Sequence, residues 1–302
     1  MRVFLSGGSG YVGRVVLDRL LRAGHQVVAL SRLGTARSLQ GNAAKEYEWA
    51  EEQLFIAQGD ISDPLTLIGA MEGCDAVIHL VGIIREIPGR QITMTTIHAR
   101  GTKSLVTEAV RCGVKHLVHM SALGARENAV SAYHRSKWAS EQSVRESGIP
   151  FTIFRPSVIF GKGGPGPNFV DQLRDLVRTS PLVPVIGDGH FLLQPVHIDS
   201  VADGFVKSLT YTSSWNKVYE VGGPQQISYL RILETIAESL HKPLRTIRIP
   251  LSIMSALIPL LQRLPGFPLT NDQLIMLKEG NICSDTHSFY REFGLEPHPF
   301  TL

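Results

Sequence analysis

The chain has 302 residues, of which 43% are hydrophobic and 19% are charged, so it can build a large core and is not of the disordered class. Its 30 Lys and Arg residues against 27 Asp and Glu residues leave a formal charge of +3, too small to predict a nucleic-acid partner. The three cysteines lie far apart without a C-x-x-C pair. This spacing excludes a disulfide scaffold and a cysteine zinc site, and it predicts a reducing, cytoplasmic compartment.

Short apolar segments alternate with helix-length segments through the first half of the chain. Their nearly continuous apolar character is typical of strands covered on both faces. We expect strands at residues 3–5, 27–30, 54–57, 76–81, 117–120 and 151–154. Gly24, Gly113 and Gly148 are expected to end helices, and Asp63 with Pro64 to begin one. The repeated β-α-β pattern predicts an α/β fold with a Rossmann-type, doubly wound parallel sheet.

The pattern changes after Pro156. Residues 161–167 read as a loop, expected to form a mobile lip of a substrate site, and Asn168 is expected to cap the helix that follows. Asp199 is expected to cap a further helix, and residues 218–221 to form a late strand. We therefore expect a dinucleotide-binding domain and a smaller C-terminal substrate lobe. The domain takes residues 1–161 with a later contribution from about 187–222, and the lobe takes 162–186 and 223–302.

The most apolar late segment covers residues 251–264 and is interrupted by Ser252, Ser255 and Arg263. It is shorter than the ~20 residues that a membrane-spanning helix needs. We expect a helix that packs on the protein or lines a pocket. A peripheral membrane contact stays open as the alternative, because Arg263 flanks the apolar face.

A glycine-rich loop directly follows the first predicted strand and precedes a helix. Glycine there permits a tight turn and a close backbone approach to a pyrophosphate, while the helix N-terminus offers free N–H groups. In this strand–turn–helix context the loop predicts dinucleotide binding. It comprises Gly7, Gly8, Ser9, Gly10, Tyr11, Val12 and Gly13.

The end of the second strand carries Ser31 and Arg32 instead of an acidic residue. An acidic residue would bond the ribose hydroxyl of NAD, whereas an arginine suits the additional phosphate of NADP. We therefore expect NADP(H) in preference to NAD(H). Arg37 is a second candidate for the same phosphate.

Tyr133 and Lys137 are four residues apart in a predicted helix and so share one face. A free tyrosine, with a pKa near ~10, is a poor acid–base catalyst at neutral pH. An ammonium group nearby stabilises the phenolate and is expected to lower the tyrosine pKa. The pair predicts acid–base chemistry beside the cofactor.

These motifs together resemble the short-chain dehydrogenase/reductases in their extended or atypical branch, the NAD-dependent epimerase/dehydratase-like proteins. The resemblance covers nearly the whole chain. It rests on residues 6–13, 59–61, 79–82, 101–102, 119–122, 133–137, 155–161 and 196–202. More narrowly, residues 120–125 and 272–277 are similar to bacterial relatives of the 39-kDa accessory subunit of respiratory complex I.

The resemblance implies a role for each matching position. Asp60 and Ile61 would hold the adenine, Val81 and Gly82 would run beside the cofactor, and Pro156 and Val158 would flank the carboxamide. Tyr133 would be the acid–base group, and Lys137 would hold the nicotinamide ribose. The serine of the family falls at Ser121 or at Ala122, and both alignments stay open, with Ser131 as a second candidate hydroxyl. His98 stands where many members carry asparagine.

The substrate pocket is expected to be mostly apolar. Its candidate residues, apart from the catalytic ones, are Ile83, Ile84, Phe160, Phe169 and Gln194. A nucleotide sugar is one expected substrate class, and a lipid-like, isoprenoid or quinone-type molecule is its competitor. The resemblance implies an oxidoreductase or epimerase; the alternative is a non-catalytic NADP(H)-binding module near a respiratory or membrane complex. No metal site is expected.

Overall fold

The computed structural model describes residues 1–32, 51–166, 168–262 and 270–302. Thirteen β-strands lie within these ranges. They are β1 (Arg2–Ser6), β2 (Gln26–Ser31), β3 (Leu54–Gln58), β4 (Ala76–His79), β5 (His116–Met120), β6 (Phe151–Pro156), β7 (Ile159–Phe160), β8 (Val183–Ile186), β9 (Leu192–Leu193), β10 (Val196–His197), β11 (Lys217–Val221), β12 (Ile227–Ser228) and β13 (Thr246–Ile249).

Nine α-helices lie in the same described ranges, beside short 3₁₀ turns and a π-helical segment, Thr95–Arg100, that leads into the second helix. The helices are α1 (Tyr11–Arg22), α2 (Gly101–Arg111), α3 (Ala132–Arg145), α4 (Phe169–Thr179), α5 (Ile198–Ser208), α6 (Tyr229–Ser239), α7 (Leu251–Leu261), α8 (Asn271–Glu279) and α9 (His287–Phe293).

Seven strands form one parallel sheet in the order β11-β6-β5-β4-β1-β2-β3. The chain builds outward from β1 through β2 and β3, then returns to place β4 on the other side of β1. This reversal is the topological switch point at which doubly wound sheets bind ligands, outside the carboxyl ends of the strands. The predicted Rossmann-type sheet is confirmed.

Helices cover both faces of the sheet, as its continuous apolar strands require. On one face, Phe154 of β6 packs against Phe205 of α5 and against Phe289 and Phe293 of α9, with ring centroids 4.8 to 5.7 Å apart. On the other face, a second buried cluster joins the strands to α2 and α3. It includes Phe4, Leu117, Ile153, Leu105, Ala109 and Val144.

The later part of the chain adds three two-stranded sheets, which pair β7 with β10, β9 with β12 and β8 with β13. A third buried cluster joins α4 and α6 through Val170, Leu173, Ile232 and Leu233. A small fourth cluster of Ile186, Ile258 and Leu274 holds α7 and α8 together. In the described parts of the chain, no helix is both long and apolar enough to cross a bilayer.

Three local predictions differ from the structure. The fourth strand ends at His79, two residues early, where the chain turns beside the glycine loop. Asp63 and Pro64 begin only a 3₁₀ turn, Pro64–Leu67. The cap of α5 is His197, whose Nδ1 accepts from the N–H of Asp199 at 3.3 Å. The Asp199 carboxylate is directed instead to Arg19, at 3.1 Å.

Candidate functional site

The glycine loop joins β1 to α1 at the switch point. Gly7 has φ +85°, and a Cβ atom on it would lie 3.1 Å from the backbone of Leu80. A Cβ atom on Gly13 would lie 1.9 Å from the carbonyl oxygen of Gly7, so helix and strand approach too closely for any side chain there. Gly10, at the cap position of α1, has no side chain that could cap the helix. The N–H groups of its first turn can therefore hold an anion.

The loop of residues 161–166 packs on this first turn of α1. The Tyr11 hydroxyl donates to the carbonyl of Gly161 at 2.8 Å, and the Gly164 N–H donates to the carbonyl of Tyr11 at 2.9 Å. A Cβ atom on Gly163 would lie 2.4 Å from the Tyr11 ring. The expected mobile lip is therefore bonded to the candidate phosphate loop; its glycines permit this close approach.

The end of β2 lies beside the glycine loop, because β2 pairs in parallel with β1. Ser31 is buried, and its hydroxyl donates to the carbonyl of Arg32 at 3.4 Å, while the Arg32 side chain is exposed. Arg37 lies outside the described residues. At the end of β3, Asp60 accepts from the N–H and hydroxyl of Ser62 at 2.8 and 2.6 Å.

Three further residues predicted beside the cofactor, Ile61, Val158 and Pro156, make contacts within the protein. Ile61 is buried in the core, and a Cβ atom on Gly101 would lie 2.9 Å from its Cγ1. The Val158 N–H donates to the side chain of Asn281 at 3.2 Å. The Pro156 carbonyl accepts from the N–H of Leu123 at 3.0 Å, which extends the β5–β6 pairing beyond the strand ends.

Lys137 on α3 is buried below the carboxyl ends of β4 and β5. Its Nζ donates to the carbonyl of Met120 at 3.0 Å, and a Cβ atom on Gly82 would lie 3.0 Å from the same Nζ. Burial lowers the pKa of Lys137 to about 8, although the charge of Glu141 acts in the opposite direction. The structure thus places an ammonium group directly beneath the turn that contains Gly82.

Tyr133 lies one helical turn before Lys137, in the first turn of α3, and its side chain is partly exposed. Burial of the hydroxyl raises the pKa of Tyr133 to about 12. In the protein without cofactor, Lys137 does not lower the pKa of Tyr133 as expected. Desolvation of the phenolate is the dominant effect, and the Lys137 ammonium donates to Met120.

His98 connects the turn after β4 to α3. Its Nε2 accepts from the N–H of Ile83 at 2.9 Å, so its Nδ1 carries the proton and donates to the hydroxyl of Ser136 at 2.7 Å. Ser136 in turn donates to the carbonyl of Tyr133 at 2.7 Å. Burial, and secondarily the charge of Lys137, lower the pKa of His98 to about 2. The imidazole is therefore neutral.

Two further buried histidines lie next to this group, and no sequence motif predicts a role for them at the site. His79 bonds the hydroxyls of Ser6 and Thr102 at 2.6 and 2.9 Å, and its ring stacks on His119 with centroids 5.2 Å apart. Burial lowers the pKa of His79 to about 3 and places the pKa of His119 well below its ordinary value. The charge of Lys137 contributes to lowering the pKa values of His79, His98 and His119, so these neutral imidazoles lie within its electrostatic reach.

The candidate hydroxyls have different surroundings. Ser121 follows β5, and its Oγ is buried without a hydrogen-bond partner among the described residues. Its neighbour Ala122 is also buried. Ser131 caps α3, because its Oγ accepts from the N–H of His134 at 3.2 Å and donates to Asp272 at 2.9 Å. These two bonds place Ser131 in the cap of α3.

Two carboxylates from α8 hold the start of α3, and the sequence analysis gave neither a role. Asp272 accepts from the N–H groups of Ala132 and Tyr133 at 2.7 and 3.0 Å. Glu279 bonds His134 Nδ1 at 2.7 Å and accepts from the N–H of Val130 at 3.0 Å. The C-terminal part of the chain thereby sets the position of the helix that carries Tyr133 and Lys137.

The predicted substrate residues do not form one group. Ile83 and Ile84 lie in the turn that His98 supports, and Ile84 is exposed. Phe160 is buried against Phe300, with centroids 4.9 Å apart. Gln194 is also buried; its amide donates to the carbonyl of Gly223 at 2.8 Å and accepts from the N–H of Cys283 at 2.9 Å. Gln194 thus bonds two backbone segments.

Phe169 lies at the start of α4, where it packs against the third cluster and faces Tyr229 with ring centroids 6.4 Å apart. Like Phe160, it therefore contributes to the packing of the later part of the chain. In the described ranges, no group of three or more His, Cys, Asp or Glu side chains is arranged to hold a metal ion.

The sequence and the fold were compared with known proteins. The model of the NAD dependent epimerase/dehydratase family matches residues 3–222. The chain is 26% identical over 309 aligned residues to NADH dehydrogenase (ubiquinone) 1 alpha subcomplex subunit 9, mitochondrial, of Arabidopsis thaliana, with 97% of this chain and 73% of that protein covered. It is 25% identical over 249 residues to NAD(P)H azoreductase of Xenophilus azovorans, covering 82% and 77% of the two chains.

Among solved structures, the fold is similar to that of the NADPH-dependent quinone oxidoreductase QOR2 from Escherichia coli, complexed with NADPH. The TM-score is 0.73 at 16% identity, with 98% of this chain and 96% of that chain covered. The likeness shows the fold. Because the family model covers most of the sequence, the chain belongs to the NAD dependent epimerase/dehydratase family, a family of NAD(P)-dependent oxidoreductases and epimerases that bind nicotinamide cofactors.

Proposed function

We propose that this protein is an NADP(H)-dependent oxidoreductase or epimerase, in which Tyr133 exchanges a proton with the oxygen of a carbonyl or alcohol centre. The observation that carries the proposal is the burial of Lys137 one helical turn after Tyr133. A buried ammonium group costs stability, as the lowered pKa of Lys137 expresses. Ionisable groups with strongly shifted pKa values are concentrated at functional sites, where their charge takes part in binding or catalysis.

The residues of the site fit a dinucleotide. The side-chain-free surface of the glycine loop and the uncapped N-terminus of α1 suit a pyrophosphate. When bound, the nicotinamide supplies or accepts the hydride. The other contacts are implied by the family. Asp60 and Ile61 would hold the adenine, and Val81 and Gly82 would run beside the cofactor. Lys137 would hold the nicotinamide ribose, and Pro156 and Val158 would flank the carboxamide.

Lys137 would act on Tyr133 by charge. Two unit charges ~4 Å apart interact by up to ~4 kcal/mol at an effective dielectric near 20, which corresponds to a pKa change of at most ~3 units. The Tyr133 pKa of about 12 in the protein alone would then fall toward the neutral range. This requires Lys137 Nζ to leave the Met120 carbonyl and approach the phenolate. His98 and Ser136 would hold the Tyr133 backbone while this occurs.

The substrate proposed for this site is an apolar carbonyl compound or a quinone. Ile83 and the exposed Ile84 line the turn above Lys137, and neither bears charge. Two similar proteins are named as a quinone oxidoreductase and an azoreductase. A nucleotide sugar is the competing class.

The test is turnover by a Tyr133→Phe variant. A screen of ketones, quinones and nucleotide sugars by NADPH oxidation first identifies a substrate. The variant loses only the phenolic oxygen, so NADPH affinity should persist while turnover falls by roughly 10²- to 10⁴-fold. A variant that keeps the full rate would refute the role of Tyr133. Tyr211→Phe, an exposed tyrosine after α5, is the matched control.

A second candidate function is a non-catalytic NADP(H)-binding module with an assembly or sensing role at a respiratory or membrane complex. It is favoured by the buried side chain of Ala122, which occupies one of the two positions open for the serine of the family. In that alignment the site would lack the hydroxyl that polarises a substrate oxygen. The name of the similar Arabidopsis protein is that of a respiratory-complex subunit. Tightly retained NADP(H), identified by mass spectrometry after purification, together with no turnover in the screen, would select this function.

A further inference from the structure

Helix α7 exposes apolar side chains on the face that turns away from the protein. Its inner face, with Met254 and Ile258, packs against Ile186 and Leu274. Ile253 and Leu257 lie on the outer face, since residues four apart share one side of a helix. Both are almost half exposed. The sequence of this helix, LSIMSALIPLL, contains no charged residue.

The apolar surface continues into the strand that precedes this helix. β13 pairs only with β8 among the described strands and exposes Ile247. Ile247, Leu251, Ile253 and Leu257 are each 43% to 48% exposed; these four residues are called the α7 surface below. An uncharged helix that exposes several large apolar side chains on one surface indicates a contact there.

Charge indicates the chemistry of the occupant. Residues 239–271 contain no Asp or Glu and four Lys or Arg residues. Of these, Arg245, directly before β13, and Arg248, within β13, are exposed. Asp188 is an acidic side chain near Arg248. Its pKa is lowered mainly by the hydrogen bond from His190 N–H, and the charge of Arg248 contributes to the lowering. The region is therefore apolar and cationic.

We propose that the α7 surface, with Arg245 and Arg248, docks on the surface of a bilayer that contains anionic lipid. Apolar side chains enter the headgroup boundary while cations remain at the phosphate level, which is how interfacial helices bind. α7 is too short to span a bilayer, so it would lie in the interface plane. The proposal does not depend on the reaction proposed for the site.

The docked helix would lie near the candidate substrate turn. Arg85, which follows Ile84, donates to the carbonyl of Gln262 at the end of α7, at 3.2 Å. Ile84 and Ile87 are the exposed apolar residues of that turn. A membrane at the α7 surface would therefore meet the same side of the protein that we propose binds an apolar substrate.

Vesicle co-sedimentation tests the proposal. The purified full chain should bind vesicles of equimolar phosphatidylcholine and phosphatidylglycerol, and should bind pure phosphatidylcholine vesicles at least ~10-fold more weakly. Raising the salt from ~0.1 M to ~1 M should weaken binding, because the Debye length falls from ~10 to ~3 Å. Equal binding to both vesicle types, or none to either, would overturn the proposal.

Paired variants localise the contact. Ile253→Ser with Leu257→Ser should lower the partition constant at least ~10-fold through lost apolar burial. Arg245→Gln with Arg248→Gln should lower it about 25-fold, or ~5-fold per charge. The control is Leu65→Ser with Ile68→Ser, which removes two residues that are 76% and 64% exposed in the segment between β3 and β4. If the control pair weakens binding as much, the α7 surface is not the docking site.

Sedimentation velocity separates the proposal from self-association. The serine pair changes exposed side chains, so its melting temperature should match that of the wild type, and both should have the same mass in solution. A wild-type dimer that the serine pair converts to a monomer, without vesicle binding, would assign the surface to a second copy of the chain and overturn the proposal.

Discussion

The carboxylate of Asp272 accepts a hydrogen bond from the backbone N–H of Tyr133 at 3.0 Å, although the two residues are 139 positions apart in the sequence. A second bond from Ala132 N–H to the same carboxylate, at 2.7 Å, places a negative charge at the N-terminus of α3. A charge there complements the helix dipole and satisfies N–H groups that the helix itself leaves open. The geometry of the proposed catalytic helix thus depends on α8.

Replacing Asp272 by alanine should therefore affect both stability and function. The loss of a charged cap costs about 1–2 kcal/mol of the free energy of unfolding, and the altered start of α3 should lower turnover more than NADPH affinity. Asp285→Ala is the matched control, because Asp285 accepts from Ser288 N–H at 3.1 Å in the first turn of α9. Urea unfolding and steady-state kinetics would measure both effects; equal turnover in the two variants would contradict the positioning role.

Lys137→Met should change the pH dependence of stability. The pKa of Lys137 is lowered to about 8 in the folded protein from 10.5, so the unfolded chain binds the extra proton between these values. Stability should therefore rise from about pH 8 to 10.5, by roughly 3 kcal/mol from this group. The variant should lack this rise. At neutral pH it should be ~1 kcal/mol more stable than the wild type, because the cost of burying the ammonium group exceeds the contribution of its bond to the Met120 carbonyl.

The exposed Lys115 provides the control for that measurement. Lys115→Met should follow the wild-type curve of unfolding free energy against pH. If the wild type and Lys137→Met keep a constant difference from pH 7 to 10.5, the ammonium of Lys137 does not carry the cost assigned to it.

The buried histidines should make the protein sensitive to acid. The pKa values of His79 and His98 are lowered to about 3 and about 2, and that of His119 is also far below 6.5. Below pH 6.5 the unfolded chain takes up protons that the folded protein does not, so the free energy of unfolding decreases as the pH is lowered. Three such groups give a slope of about 4 kcal/mol per pH unit.

His119→Leu isolates one of these protons. Both ring nitrogens of His119 are buried without partners among the described residues, so leucine should raise the free energy of unfolding and reduce the slope by ~1.4 kcal/mol per pH unit. Urea unfolding at several pH values below 6.5 measures the slope. His241→Gln, at an exposed histidine, is the comparison variant, and an unchanged slope in His119→Leu would disprove the assignment.

Arg32 should determine the choice of cofactor. A charge-assisted contact with the phosphate of NADPH is worth about 1.5–3 kcal/mol, or ~10- to 100-fold in affinity. Arg32→Ala should lose this preference and leave NADH affinity unchanged, as measured by calorimetry with both cofactors. Arg291→Ala, at an exposed arginine of α9, is the control and should keep the wild-type preference. A wild type that binds both cofactors equally would rule out the NADP assignment.

Gly13→Ala should damage the fold and the cofactor site together. The added Cβ would lie 1.9 Å from the Gly7 carbonyl oxygen and 2.8 Å from Gly8 Cα, and backbone cannot move aside cheaply. Overpacking of this kind costs about 1–3 kcal/mol or more. Gly24→Ala meets no atom within 4 Å and costs only the strain of φ +78°, roughly 1–2 kcal/mol. Unaltered NADPH binding by Gly13→Ala would refute the placement of the pyrophosphate.

Local sequence was sufficient for the sheet and for the motifs contained in a single element. Six predicted strands are present because a strand covered on both faces needs an uninterrupted apolar run. The capping of α4 by Asn168 is confirmed by a bond from Asp171 N–H at 2.8 Å. The arrangement of Tyr133 and Lys137 on one helix face follows from helix geometry alone. The boundaries of the two domains and the roles of the site residues stay predictions.

Tertiary structure decided everything that depends on contacts between distant segments. Asp272 and Glu279 resemble ordinary surface acids of a helix until α8 is packed on α3. The bonds of Gln194 to the backbones of Gly223 and Cys283 form only when these three segments meet. The burial of Lys137 among neutral histidines likewise arises only when β4, β5 and α3 meet. Periodicity and turn chemistry act over a few residues, whereas desolvation and hydrogen bonding depend on which groups the folded chain brings within a few ångströms.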